Sequence, residues 1–251
     1  MNLTLIIEVL PRLIDGMMLT VHLTVASIFL GALVAVPLAL MRASRSAVLS
    51  CPVLFYTYLF RGTPLLVQLF LVYYGTSQSG WVRLSVLWPV LREPFWCALI
   101  VFSLNHAAYT TEILRGGIRA IPFGEVEAAK ALGMSYGLRT RRLVLPSALR
   151  LSFPAYANEV VLMLKSSSLA STITLMELTG TARKIVAQTF SPYEVFVSAA
   201  LIYLAITLLI ATAFGWMERR MMRHSRREAQ SPRSRLITSF NKMWPRLREA
   251  S

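Results

Sequence analysis

Five apolar segments, each close to the length of a bilayer-crossing helix, divide this chain at about 17–40, 52–74, 95–114, 153–173 and 193–216. A hydrocarbon core takes roughly 20 residues of helix to cross, so this alternation limits the fold before any motif is considered. With 55% hydrophobic and 15% charged residues, a water-soluble fold would expose far more apolar surface than such folds do. The expectation is an all-α integral membrane protein with five transmembrane helices. Two of the segments are interrupted: the second by Arg61, Gly62 and Pro64, the fourth by Asn158, Glu159 and Lys165.

The formal net charge of +14 would suit a nucleic-acid partner in a soluble protein, but in a membrane chain excess Lys and Arg mark the cytoplasmic face. No nucleic-acid partner is expected. The cations are concentrated in alternate connectors. Arg42 and Arg45 follow the first segment, Arg115, Arg119, Lys130, Arg139, Arg141, Arg142 and Arg150 follow the third, and Arg219, Arg220, Arg223, Arg226 and Arg227 follow the fifth. The remaining stretches offer only Arg12, Arg83, Arg92, Arg183 and Lys184. This pattern predicts an extracytoplasmic N-terminal segment at 1–16, a transmembrane domain at 17–217 and a basic cytoplasmic tail at 218–251. A cytoplasmic loop would occupy about 116–150. No cleaved signal is expected, because the first apolar run is long enough to remain as a span. From Ser225 the composition shifts to Arg, Ser and Pro. That stretch reads either as a disordered tail or as an interfacial helix with Leu236, Ile237, Phe240, Met243 and Trp244 on one face and Lys242, Arg246 and Arg248 at lipid phosphate. Cys51 and Cys97 have no metal-ligand spacing around them and suggest no disulfide framework.

The loop at 116–150 has helical punctuation. Pro122 suits a first helical turn, where its missing amide donor costs nothing, and Glu125 and Glu127 favour the positive end of the helix dipole. Ala128, Ala129, Lys130, Ala131 and Leu132 are good helix formers, and Gly133 ends the run or lets another backbone approach. A second helical stretch is expected over 136–145, closed by Pro146. None of the four lysines closes a Gly-rich phosphate loop, so a nucleotide-hydrolysing motor would have to be another chain.

Glu127, Ala128 and Ala129, then Gly133, then Leu143, Leu145 and Pro146 match the loop signature of the permeases of binding-protein-dependent ABC importers. Leu143 stands where that family has isoleucine. The chain also resembles the polar amino-acid uptake branch of these permeases at Arg61-Gly62-Thr63-Pro64-Leu65-Leu66-Val67-Gln68 and at Tyr109-Thr110-Thr111-Glu112. It is similar to the M-type subunits of histidine, lysine/arginine/ornithine, octopine and nopaline systems at Ala155-Tyr156-Ala157-Asn158-Glu159 and Ser166-Ser167-Ser168-Leu169. The resemblance implies an inner-membrane permease that pairs with a homologous Q-type subunit, receives substrate from an extracytoplasmic solute-binding protein and is driven by an ATPase subunit dimer. It also implies that Glu127, Ala128, Ala129, Gly133, Leu145 and Pro146 form the surface that couples to the ATPase. ATP and Mg would be bound by that partner, and this chain would carry no cofactor or catalytic residue of its own.

Ionisable groups at bilayer depth are functional candidates by default, because each is expensive unless it faces a cavity or a partner. Asn158 and Glu159, with Tyr109 and Glu112 from the third segment, are candidates to line a substrate pathway in which carboxylates favour a cationic side chain. Lys165 or Ser168 could then engage a substrate carboxylate. The competing structural reading has Glu159 bridging helices and Lys165 reaching headgroups. Arg61, Gly62 and Pro64 read as a gating hinge or as a plain helix entry, and His22 and His106 as isolated core or interface residues. A self-powered, proton-coupled carrier using Glu112 or Glu159 is the alternative function, and the lack of an inverted repeat counts against it.

Overall fold

In a computed structural model that describes residues 3–44 and 46–229, every regular element among those residues is helical. In chain order these are α1 (Leu3–Ala43), α2 (Ala47–Gly62), α3 (Leu65–Phe70), α4 (Thr76–Gln78), α5 (Gly80–Arg83) and α6 (Trp88–Leu91). They continue with α7 (Pro94–Arg119), α8 (Phe123–Ala131), α9 (Tyr136–Arg139), α10 (Leu145–Ser166), α11 (Leu178–Thr189) and α12 (Pro192–Ala229). Wider π turns at Leu71–Gly75 and Thr140–Val144 join α3 to α4 and α9 to α10, and a 3-10 stretch, Ser167–Ile173, prolongs α10. Three helices (α1, α7 and α12) are singly long and apolar enough to cross a membrane, and five spans result if each of two bent pairs is one. The bent pairs are the interrupted segments: α2 with Leu65–Gln78 at 101°, and Tyr136–Ile173 with α11 at 48°. The readings made of 230–251 lie outside the described residues.

Helix α7 is the centre of the packing. Of its apolar window 72% is buried, against 33% for α1 and 17% for α12, so the last two keep most of their apolar surface outward, as lipid-facing helices do. Between helices in lipid there is no water to expel, and association rests on close van der Waals contact between small residues. The α1–α7 seam follows this rule. A Cβ on Gly31 would come within 2.8 Å of the Ser103 carbonyl and 2.9 Å of the His106 ring, and Ala35, Ala39 and Ala107 continue the contact. A second cluster joins Leu23, Leu69, Phe102, Met163 and Ile173 from α1, α3, α7, α10 and the 3-10 stretch.

Residues 3–16 are not a separate segment. Helix α1 runs through them for about 60 Å at 1.5 Å per residue, twice the hydrocarbon thickness. Val9 and Leu13, one turn apart, pack against Leu178, Ala182 and Ile185 of α11 and Val195 and Ala199 of α12. Arg12 donates to the Gln188 side chain at 2.8 Å. The division expected at 16/17 therefore corresponds to no break in the chain, because the apolar stripe continues at helical spacing beyond the membrane-length run. Compact units part at Ala211/Thr212, inside the stretch expected to be one domain to 217. In the second unit the Arg220 guanidinium lies over the Trp216 ring at 5.5 Å.

Candidate functional site

The loop expected to carry a short helix does so. Glu125 lies in the first turn of α8 and Lys130 in the last, each at the end of the dipole it favours. Pro122 is the residue before the helix, not inside its first turn: its ψ of 131 is extended, and its fixed φ serves the entry. The helix ends in a Schellman arrangement, with Gly133 N donating to Lys130 O at 2.9 Å and Met134 N to Ala129 O at 3.1 Å. Gly133 has φ +74, which explains the glycine; nothing approaches its Cβ position, so close backbone approach is not its role.

Ala129 of α8 is buried, while Ala128, Phe123 and Leu132 are exposed. Glu127 is half-exposed and its carboxylate meets Lys130 Nζ at 2.7 Å, a surface pair of little energetic weight. Beneath α8 lies a cleft of about 710 Å³, bounded by Leu40 and Ala43 of α1, Ile118 and Arg119 of α7, and Tyr136 and Arg139 of α9. Pro146 does not close the second helix. Pro146 cannot donate to the Arg142 carbonyl four residues back, and the chain widens over Thr140–Val144, where Leu145 N donates to Thr140 O. The helix thereby continues into α10 as a π turn, linking the loop to the fourth span without a stop.

The polar candidates separate into three places. Glu159 is buried on α10, with Oε1 3.6 Å from Nδ1 of the fully buried His106, whose ring meets Tyr156 edge-on at 5.8 Å. The next-door Asn158 is exposed. Glu112 is held elsewhere: its carboxylate lies 2.6 Å from Arg115 and 3.3 Å from Arg42, and Arg42 donates to Ser50 Oγ at 2.8 Å. With its oxygens facing two guanidinium groups, Glu112 is an inter-helix ion cluster of α1 and α7, not the partner of Asn158 and Glu159 that was expected. Lys165 is exposed at the end of α10, and Ser168 donates to its carbonyl at 2.7 Å. Tyr109 is half-buried under the Arg61 guanidinium, 5.2 Å from ring centre, a cation–π contact.

Residues 27–223 match the family model described as binding-protein-dependent transport system inner membrane component. The chain belongs to that family. This permease is 50% identical over 222 residues to the octopine transport system permease protein OccM of Rhizobium meliloti, covering 86% of this chain and 91% of the relative. It is 42% identical over 210 residues to the histidine/lysine/arginine/ornithine transport system permease protein HisM of Salmonella typhimurium, covering 83% and 89%. Among solved structures it superposes on an amino acid ABC transporter crystallised with histidines at a TM-score of 0.78 and 32% identity, over 88% of this chain and 99% of that one. It is therefore a transport subunit of an ABC importer, not an enzyme, and an ATPase and a binding protein are the partners its family implies. The proton-coupled carrier falls with that assignment.

In this permease the break in the second span is set by Pro64. Thr63 before it is extended, as a residue preceding proline must tend to be, and the carbonyl of Phe60, four residues back, is left without its helical donor. Gln68 Nε2 donates to Phe60 O at 2.8 Å and lies 2.8 Å from Thr63 Oγ1. Asn105 Nδ2 donates to Gln68 Oε1 at 3.1 Å and sits 3.3 Å from Phe60 O. Arg61, Gly62 and Pro64 thus form a braced corner, where a loose hinge was one expectation; Gly62 is the last helical residue, with open space at its Cβ position. Gln68 and Asn105 were missed as a pair because they are 37 residues apart. The signal available was an amide four residues after Pro64. Gln68→Leu should destabilise the purified permease complex by about 1–3 kcal/mol, since it removes the hydrogen bonds to Phe60 O and from Asn105 Nδ2 and leaves those two groups only their longer 3.3 Å contact with each other. A melting temperature equal to wild type in detergent would reject the bracing role.

Proposed function

We propose that this permease translocates a cationic amino acid or an opine, with Asn158 and Glu159 on the substrate path and Glu127, Ala128, Ala129, Gly133, Leu145 and Pro146 coupling it to the ATPase. The observation that carries the substrate class is the buried Glu159 carboxylate beside the exposed Asn158. A buried anion in a span needs a cationic counterpart. The relatives support the same class, one named for octopine and one for histidine, lysine, arginine and ornithine. The finer assembly follows the M-type resemblance: a heterodimer with a Q-type subunit, N-terminus outside and C-terminus cytoplasmic, with ATP and Mg on the partner ATPases. That orientation puts α8 on the same side as the ATPases, where exposed Phe123, Leu132 and Tyr136 offer apolar contacts on a basic, water-facing loop.

The test compares L-arginine with L-citrulline, its uncharged near-isostere, for binding to the purified permease–ATPase complex without the binding protein. Glu159→Gln should weaken arginine binding at least about tenfold, the scale of one lost charge-assisted hydrogen bond, and leave citrulline unchanged. An arginine-to-citrulline preference equal to that of the wild type would remove Glu159 from the path.

A further inference from the structure

Helix α10 turns Glu159 inward, toward His106 of α7, while Asn158 beside it faces out. His106 is completely enclosed. On one side Gly31 of α1 comes so close that even a methyl group there would meet the ring. Nε2 lies 3.2 Å from Thr110 Oγ1, and Nδ1, 3.6 Å from the carboxylate, has no hydrogen-bond partner. A bare Nδ1 lone pair directed at a carboxylate would be repulsive, so Nδ1 carries the proton, with Nε2 accepting from Thr110 when the ring is neutral. The ring is packed on every side, yet its polar contact with Glu159 stops just short of a hydrogen bond. Such a contact balances the carboxylate without locking it.

We propose that His106 is the resident counter-group of Glu159 and stands in for the cationic side chain of the substrate, so that loading exchanges one partner for the other. The inference rests on the reading of Glu159 as a cation-recognising residue. His106 itself does not touch substrate; it is a positioning residue that acts through Glu159. Without it, the empty path would leave a buried carboxylate uncompensated. A fully charged ligand can replace the histidine, and a neutral one cannot.

Binding of L-arginine and L-citrulline to the purified permease–ATPase complex, wild type beside His106 variants, tests the exchange. With no resident partner to displace, His106→Asn should bind arginine about tenfold more tightly than the wild type and citrulline equally. His106→Gln, which keeps an amide facing Thr110, serves if the asparagine variant does not assemble. A His106 variant that binds arginine no more tightly than the wild type, or that tightens citrulline by the same factor, overturns the exchange. If Glu159→Gln keeps the arginine preference, it is the reading of Glu159 that fails. If Glu159→Gln loses the preference while His106→Asn binds arginine as the wild type does, only the exchange fails.

Discussion

Valine in place of Gly133 should cut ATP-driven uptake by more than about tenfold while the permease still inserts and its spans still pack. The backbone at this position has φ +74, and a β-branched residue held there costs about 1–3 kcal/mol. The chain can avoid that strain by giving up the Schellman bonds from Gly133 N and Met134 N, which frays the end of α8 and re-aims α9. Helix α8 belongs to no span and α9 is only the leading turn of the fourth, so stability of the membrane core should change little. What changes is the angle at which Glu127, Ala128 and the exposed Leu132 are presented to the proposed ATPase partner. Misplacement by about 1 Å can already lower a geometry-dependent rate a hundredfold. Asparagine, which tolerates the left-handed region better than other side chains, should retain an intermediate rate. Uptake and substrate-stimulated ATP hydrolysis in proteoliposomes would be measured together. A valine variant that transports at the wild-type rate would mean that the shape of this loop does not matter to coupling.

Why this loop was readable from sequence, and the interior was not, comes down to range. Its helix start, dipole charges and glycine stop are determined by neighbours within a few residues, so Pro122, Glu125, Lys130 and Gly133 carry the information locally. The apolar segments are equally local and gave the spans, though not the 101° corner at Pro64. A proline marks where a helix can break; whether the break is free or braced depends on what reaches the stranded Phe60 carbonyl, and Asn105 arrives from another span. His106 looked isolated because its partner Glu159 is 53 positions away. Glu112 and Glu159 are indistinguishable as intramembrane acids in sequence. They part only when packing brings two arginines to one and a buried histidine to the other. Pro146 misled for the opposite reason: the local rule predicts a stop, and the π turn at Thr140–Val144 absorbs the missing bond.

The largest loss of stability should come from Glu177, a residue in a connector that hydropathy passes over. It is fully buried at the bend between the 3-10 stretch and α11. Its carboxyl group caps α11, accepting from Thr179 N and Gly180 N, each at 2.9 Å. The Tyr203 hydroxyl of α12 donates to it at 3.0 Å, and the Thr20 hydroxyl of α1 lies 3.3 Å away while accepting from Leu178 N at 3.0 Å. One side chain therefore ties three helices and fills the donor demand of a helix start that has no water to turn to. Glu177→Ala removes a cap worth about 1 kcal/mol and strands several buried donors at about 1–3 kcal/mol each, so the loss should exceed about 3 kcal/mol. Glu177→Gln keeps one accepting oxygen where two are used: with that oxygen at the Oε1 position it keeps the bond from Gly180 N and loses those from Thr179 N and Tyr203, so it should fall between the two. Thermal unfolding of the detergent-purified complex checks the order wild type, glutamine, alanine. Because the spans through α2, α3 and α7 do not touch this node, uptake by the surviving folded fraction should remain normal. An alanine variant as stable as wild type would show that α11 is held by its apolar face against Val9, Leu13 and Val195, with the polar node contributing nothing.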